Sequence, residues 1–180
     1  KHYQLSMSFK DSLQKTDSRF YEEVIVDGTA PHSIRPTLYD FLVYPTAQFF
    51  ASYEPGISRP ADAFVIDDPA YFQPAKQFTT LKIETKDTMS LKFYALKNLQ
   101  ELVRFHLNDK TADALVMADL ERLNFLYRNS VVLSKDSLYE DALRQLAANY
   151  PDNQYTGEVL YNVAVYHTAL AYKYDPSKGD

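Results

Sequence analysis

Histidine is the first residue type in this chain to test for chemistry, because it titrates near neutral pH and ligates metals. There are four. His2 and His32 fall in terminal or connector segments, where an exposed polar role is expected. His106 closes a helical pattern, a place where a cation complements the negative end of the helix dipole. His167 sits in an uncharged helical run and is expected to be a satisfied core or interface histidine. No two histidines stand at i, i+4, and no H-E-x-x-H occurs, the spacing that puts two imidazoles on one helix face around zinc. Two pairs of adjacent carboxylates remain. Asp67-Asp68 precede Pro69 in a turn-like setting, and Glu22-Glu23 lie on a helix surface. Neither belongs to a glycine-bearing loop of calcium-binding spacing.

Nucleophile chemistry has no foothold in the sequence. There is no cysteine and no G-x-S-x-G, and the four glycines form no phosphate-cradling loop. Tyrosines recur along the last helix, at Tyr161, Tyr166, Tyr172 and Tyr174. Their helical spacing favours packing over a ligand platform. Tyr161, Val165, Tyr166 and Tyr172 are the residues this pattern marks as an interface. No catalytic, metal-ligating or cofactor-binding residue is predicted, and no cofactor is expected.

The elements that must carry these residues are helical. Fifteen tyrosines and eleven phenylalanines with no tryptophan indicate a core of flat rings whose hydroxyls reach the surface. Scarce glycine disfavours turn-rich β architecture. A chain of 180 residues can bury a core without a metal or disulfide. The net charge of −5, with lysines and arginines spread singly, argues against nucleic-acid binding. No apolar run approaches the roughly 18 residues of a membrane span. The chain starts without Met and ends in the linker-like "DPSKGD", which predicts an excised piece of a longer protein.

Spacing predicts one all-α domain over 1–180. Residues 1–53 hold N-terminal helices: about 3–14, with Leu5, Phe9 and Leu13 on one face; a second in "DSRFYEEVIVDG", ended by Gly28; and a third over 37–53 with Thr37 as N-cap. In "RPTLYDFLVYPTAQFF" the apolar Leu38, Phe41, Leu42, Phe49 and Phe50 surround Pro45. This predicts a kinked helix, or two short ones meeting near Tyr44, with Phe41 and Phe49 buried on either side. Residues 54–87, with Pro55, Pro60, Pro69 and Pro74, form an ordered connector pinned by Phe64, Tyr71, Phe72 and Phe78. "AFVID" and "TTLKIE" within it have the length of short strands. Residues 88–173 form two antiparallel hairpins, with helices over about 88–107, 111–129, 137–150 and 155–173; Ser137 and Glu140 are spaced as a capping box. The hairpin period of about 40 residues is tetratricopeptide-like. Val159–Tyr172 carries no charge on any face, so the last helix is expected to expose an apolar patch or to hide it against a second copy.

"RPTLYDFLVYPTAQFF", "FYALKNLQELVRFHLND", "DLERLNFL" and "KDSLYEDALRQLAANYPDN", in that order, resemble the N-terminal helical region of Bacteroidetes alpha-2-macroglobulin family proteins. The resemblance spans about residues 35–172 and rests on scaffold motifs. It implies an exported cell-envelope protein of the protease-inhibitor class, with β-sandwich domains following this module. Its partners would be those domains and, through the parent protein, proteases. The thioester cysteine of some members has no counterpart here. Two other readings stand beside it. One is a TPR-like module binding a peptide, or a glycan in the manner of SusD-like proteins, which a concave groove lined by Tyr and Asn would favour. The other is an all-α enzyme, which a buried cluster of His with carboxylates would favour.

Overall fold

The computed structural model describes residues 2–24, 31–52 and 61–173. Its elements are α1 (His2–Ser6), α2 (Lys10–Lys15), α3 (Leu38–Ala51), α4 (Ala75–Phe78), α5 (Leu91–His106), α6 (Asp113–Asn129), α7 (Lys135–Asn149) and α8 (Thr156–Lys173), with 3-10 turns at Ser18–Tyr21 and Pro69–Phe72. The fold is all-α. Each helix from α5 to α8 packs on the next, and α3 lies along α5. The main core runs from Phe50 through Phe64, Ile66, Phe72, Phe78, Leu96 and Leu99 to Leu123, Leu126, Leu143 and Val159. A smaller cluster joins Tyr39, Val43 and Tyr44 of α3 to Leu102, Val103, Leu115 and Ala118.

The expected helix at 3–14 is two short pieces, and Leu5 and Phe9 are exposed. Among the described side chains of this region only Met7 and Leu13 pack against the smaller cluster, too little apolar contact to hold one continuous helix. The expected second helix is a 3-10 turn capped by Asp17, whose carboxylate accepts from Arg19 N. The expected stop at Gly28 lies outside the described residues.

α3 begins as its sequence dictates. Thr37 Oγ1 accepts from Asp40 N, and Asp40 Oδ2 accepts from Thr37 N at 2.9 Å, a complete capping box. The helix then continues through Pro45 as one element, not two. Its buried side chains are Tyr39, Asp40, Val43, Tyr44, Thr46, Ala47 and Phe50. Phe41 and Phe49, expected in the core, are 38% and 48% exposed. The reason lies in which face is turned to α5: Tyr39, Val43 and Ala47 repeat at four-residue steps, and Phe41 and Pro45 share the opposite, exposed side. Pro45 deprives the Phe41 carbonyl of its usual donor, and on that side water can replace it.

The connector contains no strand among the described residues. "AFVID" contributes one isolated bridge, Ile66 to Ser130, and "TTLKIE" none. The segment is nevertheless anchored. Phe64, Ile66, Tyr71, Phe72, Phe78 and Ile83 are all buried. An irregular backbone has no ladder to satisfy its carbonyls, so they need other donors when buried. Ser130 Oγ bonds Ile66 O at 2.9 Å, and Gln100 Nε2 bonds Phe78 O and Leu81 O at 3.0 and 2.9 Å. Arg122 Nη1 donates to Tyr71 O and to Gln73 O, and Arg104 Nη2 donates to Thr79 O. Asp87 closes the segment, its Oδ2 accepting from Phe64 N at 3.1 Å.

α5 starts on a true cap, with Ser90 Oγ accepting from Phe93 N. α7 does not use the expected capping box. It begins at Lys135, so Ser137 already lies inside its first turn and donates to Ser134 O at 3.0 Å. Met89 precedes α5 and is exposed.

Pro45→Ala restores a donor to Phe41 O without changing the buried face. It is expected to stabilise the fold by about 2 kcal/mol, somewhat less than the full cost of an interior proline because water can reach the carbonyl on the exposed side. Urea unfolding of the two proteins measures this; an unchanged or lower midpoint contradicts it.

Candidate functional site

Among the described residues, polar groups gather in a buried network at the end of α5, in a groove beside α8, and in a cleft floored by α6.

The network centres on His106. Its Nε2 lies 2.7 Å from Asp40 Oδ1 and its Nδ1 lies 2.7 Å from Asp109 Oδ2. Both Asp40 and His106 side chains are fully buried. A neutral imidazole has one N–H, and here both ring nitrogens face carboxylates, so the arrangement calls for the doubly protonated ring. Burial pulls the His106 pKa down, but the hydrogen bonds and charges of Asp40 and Asp109 outweigh it and raise it. Asp40 thus serves twice, in the α3 capping box and as the tie to α5. This is the buried His–carboxylate cluster that sequence reasoning reserved for an enzyme, yet its histidine has no face open to a substrate. The cluster joins helices.

The groove holds about 710 Å³ between the end of α3 and α8, above α6. Tyr127 and Tyr139 stack at 4.3 Å between ring centres, and Tyr166 meets both edge-on at 5.8 and 5.9 Å. Tyr139 OH donates to Asn124 Oδ1 at 2.6 Å, and Asn124 Nδ2 reaches Asn162 Oδ1 at 3.3 Å. Tyr127 OH donates to Asp136 Oδ1. Gln48, Ala51, Ser52, Glu121, Arg128, Asn129, Val165 and Ala169 also line it.

Of the residues marked as an interface, Tyr161, Val165 and Tyr172 are exposed on one side of α8, at i, i+4 and i+11. Tyr166 is not with them. At i+5 it turns inward, 6% exposed, with Val159 and Val163. Tyr174 lies outside the described residues. Leu160 and Leu170 add to the exposed apolar surface of the helix. No helix among the described residues is long and apolar enough to cross a membrane.

The remaining sequence candidates resolve into local structure. Asp68 accepts from Ala70 N at 2.8 Å, a turn bond, and Glu22 and Glu23 are exposed in a turn. His32 pairs with Asp17 at 3.0 Å. His167 is neither core nor apolar interface; it is half-exposed and pairs with Glu140 at 3.0 Å. Among the described residues no group of His, Asp and Glu could hold a metal ion.

Sequence reasoning missed the cleft. Asp119 and Arg122 of α6 are buried, with Arg122 Nε 2.7 Å from Asp119 Oδ1 and the guanidinium 4.4 Å from the Phe78 ring centre. Burial raises the Asp119 pKa, and the charge and hydrogen bond of Arg122 work against that rise. The signal was present: Leu115, Asp119, Arg122 and Leu126 occupy i, i+4, i+7 and i+11, a charged pair on an otherwise apolar stripe.

The His106 linkage has a definite sign. With its folded pKa raised above 6.5, its stabilisation is fully present below about pH 6.5 and is lost as pH rises through the folded value. His106→Gln is expected to cost about 3 kcal/mol at pH 5.5, as for a broken buried ion pair, and clearly less at pH 9. Urea titrations of both proteins at the two pH values test it, and an equal loss at both overturns the charged-ring assignment.

No protein-family model, curated protein or solved structure matches this chain.

Proposed function

We propose that the chain is a non-catalytic helical interaction module, a TPR-like stack whose last helix seats a neighbouring domain of its parent protein. The observation that carries this is the outer side of α8: Leu160, Tyr161, Val165 and Tyr172 are exposed beside a core that α8 closes from the other side. A helix apolar on most of its circumference is ordinarily covered on more than one side. The non-catalytic part is supported by the burial of His106 and Asp40, which leaves the best-formed acid–base cluster without access to a substrate. The resemblance noted from the sequence supplies the parent class, an exported bacterial alpha-2-macroglobulin-like envelope protein acting in protease inhibition.

Hydrogen–deuterium exchange on the chain alone and within its full-length parent tests the docking face. Residues 160–172 are expected to gain protection in the longer protein. Equal exchange in both sinks the reading. Tyr161→Lys with Val165→Lys should abolish that protection and leave the urea midpoint of the isolated chain within about 0.5 kcal/mol of wild type, since both positions are exposed. If the isolated chain instead forms a dimer in analytical ultracentrifugation that these substitutions dissolve, the face serves self-association. Downstream β-sandwich domains in the coding sequence are required by the macroglobulin assignment, and their absence removes it.

The groove supports a second reading, a peptide- or glycan-binding module. It combines Tyr127, Tyr139 and Tyr166 with Asn124, Asn129 and Asn162 from three helices, the type of lining that stacks and hydrogen-bonds a polar ligand. Saturable NMR shifts at Asn124 and Asn162 on titration with oligosaccharides or unstructured peptides are its expected signature. With neither ligand shifting these residues, the groove reading falls and the docking reading stands alone.

A further inference from the structure

The cleft over Asp119 and Arg122 lies away from α8 and is used by neither reading above. It encloses about 430 Å³ between α4 and the α6–α7 pair, with Leu107 contributing from beyond the end of α5. Its floor is unusual. Arg122 is 1% exposed, and its Nε and Nη1 are engaged by Asp119, Tyr71 O and Gln73 O. Among the described residues neither its Nη2 nor Asp119 Oδ2 has a hydrogen-bond partner, and neither atom is sealed from water, unlike Arg35 Nε and Tyr44 OH. A guanidinium nitrogen that faces accessible space from a largely buried side chain is a strong donor open to an acceptor. A bridging water needs only about 30 Å³, far less than the cleft provides.

The remaining lining narrows the occupant. Lys76 stands exposed on the rim and has no ion-pair partner among the described residues. Among the described residues Asp119 is the only acid lining the cleft, and it is already bonded to Arg122. Two cations against one engaged carboxylate favour a ligand carrying a single negative charge. A dianion such as phosphate would meet the Asp119 carboxylate beside its own site. Leu107, Leu146 and Phe72 supply an apolar wall.

We propose that this cleft binds a small carboxylate-bearing molecule of the size of an N-acylated amino acid. The carboxylate sits between Arg122 Nη2 and Lys76, and the apolar part lies against Leu107 and Leu146. Gln145 and Asn149 at the mouth offer hydrogen bonds to the acyl amide. Recognition combines one charge-assisted contact at depth with apolar burial, the usual composition of a small-molecule site.

The test uses the isotopically labelled chain in NMR titrations with N-acetyl-leucine, N-acetyl-leucinamide, acetate and inorganic phosphate. N-acetyl-leucine is expected to shift Gln77, Leu107 and Asn149 saturably. The amide should bind at least about tenfold more weakly, as loss of a charge-assisted hydrogen bond implies. Lys76→Met should weaken the acid by about threefold or more at an unchanged thermal midpoint, and Lys76→Arg should restore it. Arg122 itself is left intact, because its replacement would also release the connector. The proposal is overturned by absence of shifts at the cleft, by equal binding of acid and amide, by acetate or phosphate matching the acylated amino acid, or by indifference to Lys76→Met. None of these outcomes bears on the α8 docking face.

Discussion

The structure depends on one constraint: a buried stretch of irregular backbone must find donors for its carbonyls. Residues 61–87 cross the α5–α6 pair without forming a strand, and side chains on those helices supply what a ladder would have supplied. Gln100 and Arg104 reach down from α5, and Arg122 and Ser130 from α6 and its cap. The rings of Phe64, Tyr71, Phe72 and Phe78 fill the space between. Hydrophobic burial gives the segment its stabilisation. The carbonyl bonds give it a single register, since each donor is fixed on a helix and matches one or two oxygens.

A second polar tie sets the N-terminal region. Asp40 is held at the start of α3 by Thr37 and at the end of α5 by His106, while Asp109 secures the ring from the other side. Around this tie pack Tyr39, Val43 and Phe105, with Tyr39 and Phe105 meeting edge-on at 5.4 Å. The helix start, the helix end and the pairing of α3 with α5 are therefore one arrangement rather than three.

The sequence made the long helices legible because their apolar positions recur at 3.6-residue spacing over four turns, and α5 to α8 lie within a few residues of their expected bounds. Thr37 was readable as a cap because its partner Asp40 follows at the required distance. Phe41 and Phe49 were misread because an aromatic residue at helical spacing carries no label for which face meets a neighbour; the packing of α3 on α5 decided it. Tyr166 was grouped with Tyr161 and Tyr172 by helix instead of by face. Ser137 and Glu140 have the spacing of a capping box, but the helix had already begun at Lys135. The polar residues that hold the connector were overlooked although they announce themselves: Gln100 falls between Leu96 and Val103 on a buried stripe, as Arg122 does on α6. A polar residue on an apolar stripe asks for a partner, and the partner here is a backbone that sequence periodicity does not describe.

The connector also gives the helical stack a direction. Arrays of helical hairpins extend by adding units at either end, and their terminal units differ from the rest in presenting a surface that refuses further additions. Here the exposed flank of the α5–α6 hairpin is occupied by residues 61–87 and by α3, so no further hairpin can join there. Among the described residues, the outer side of α8 has no such cover. The two ends of the helix series therefore differ in surface: the connector and α3 cover the α5–α6 end, and exposed apolar side chains mark α8.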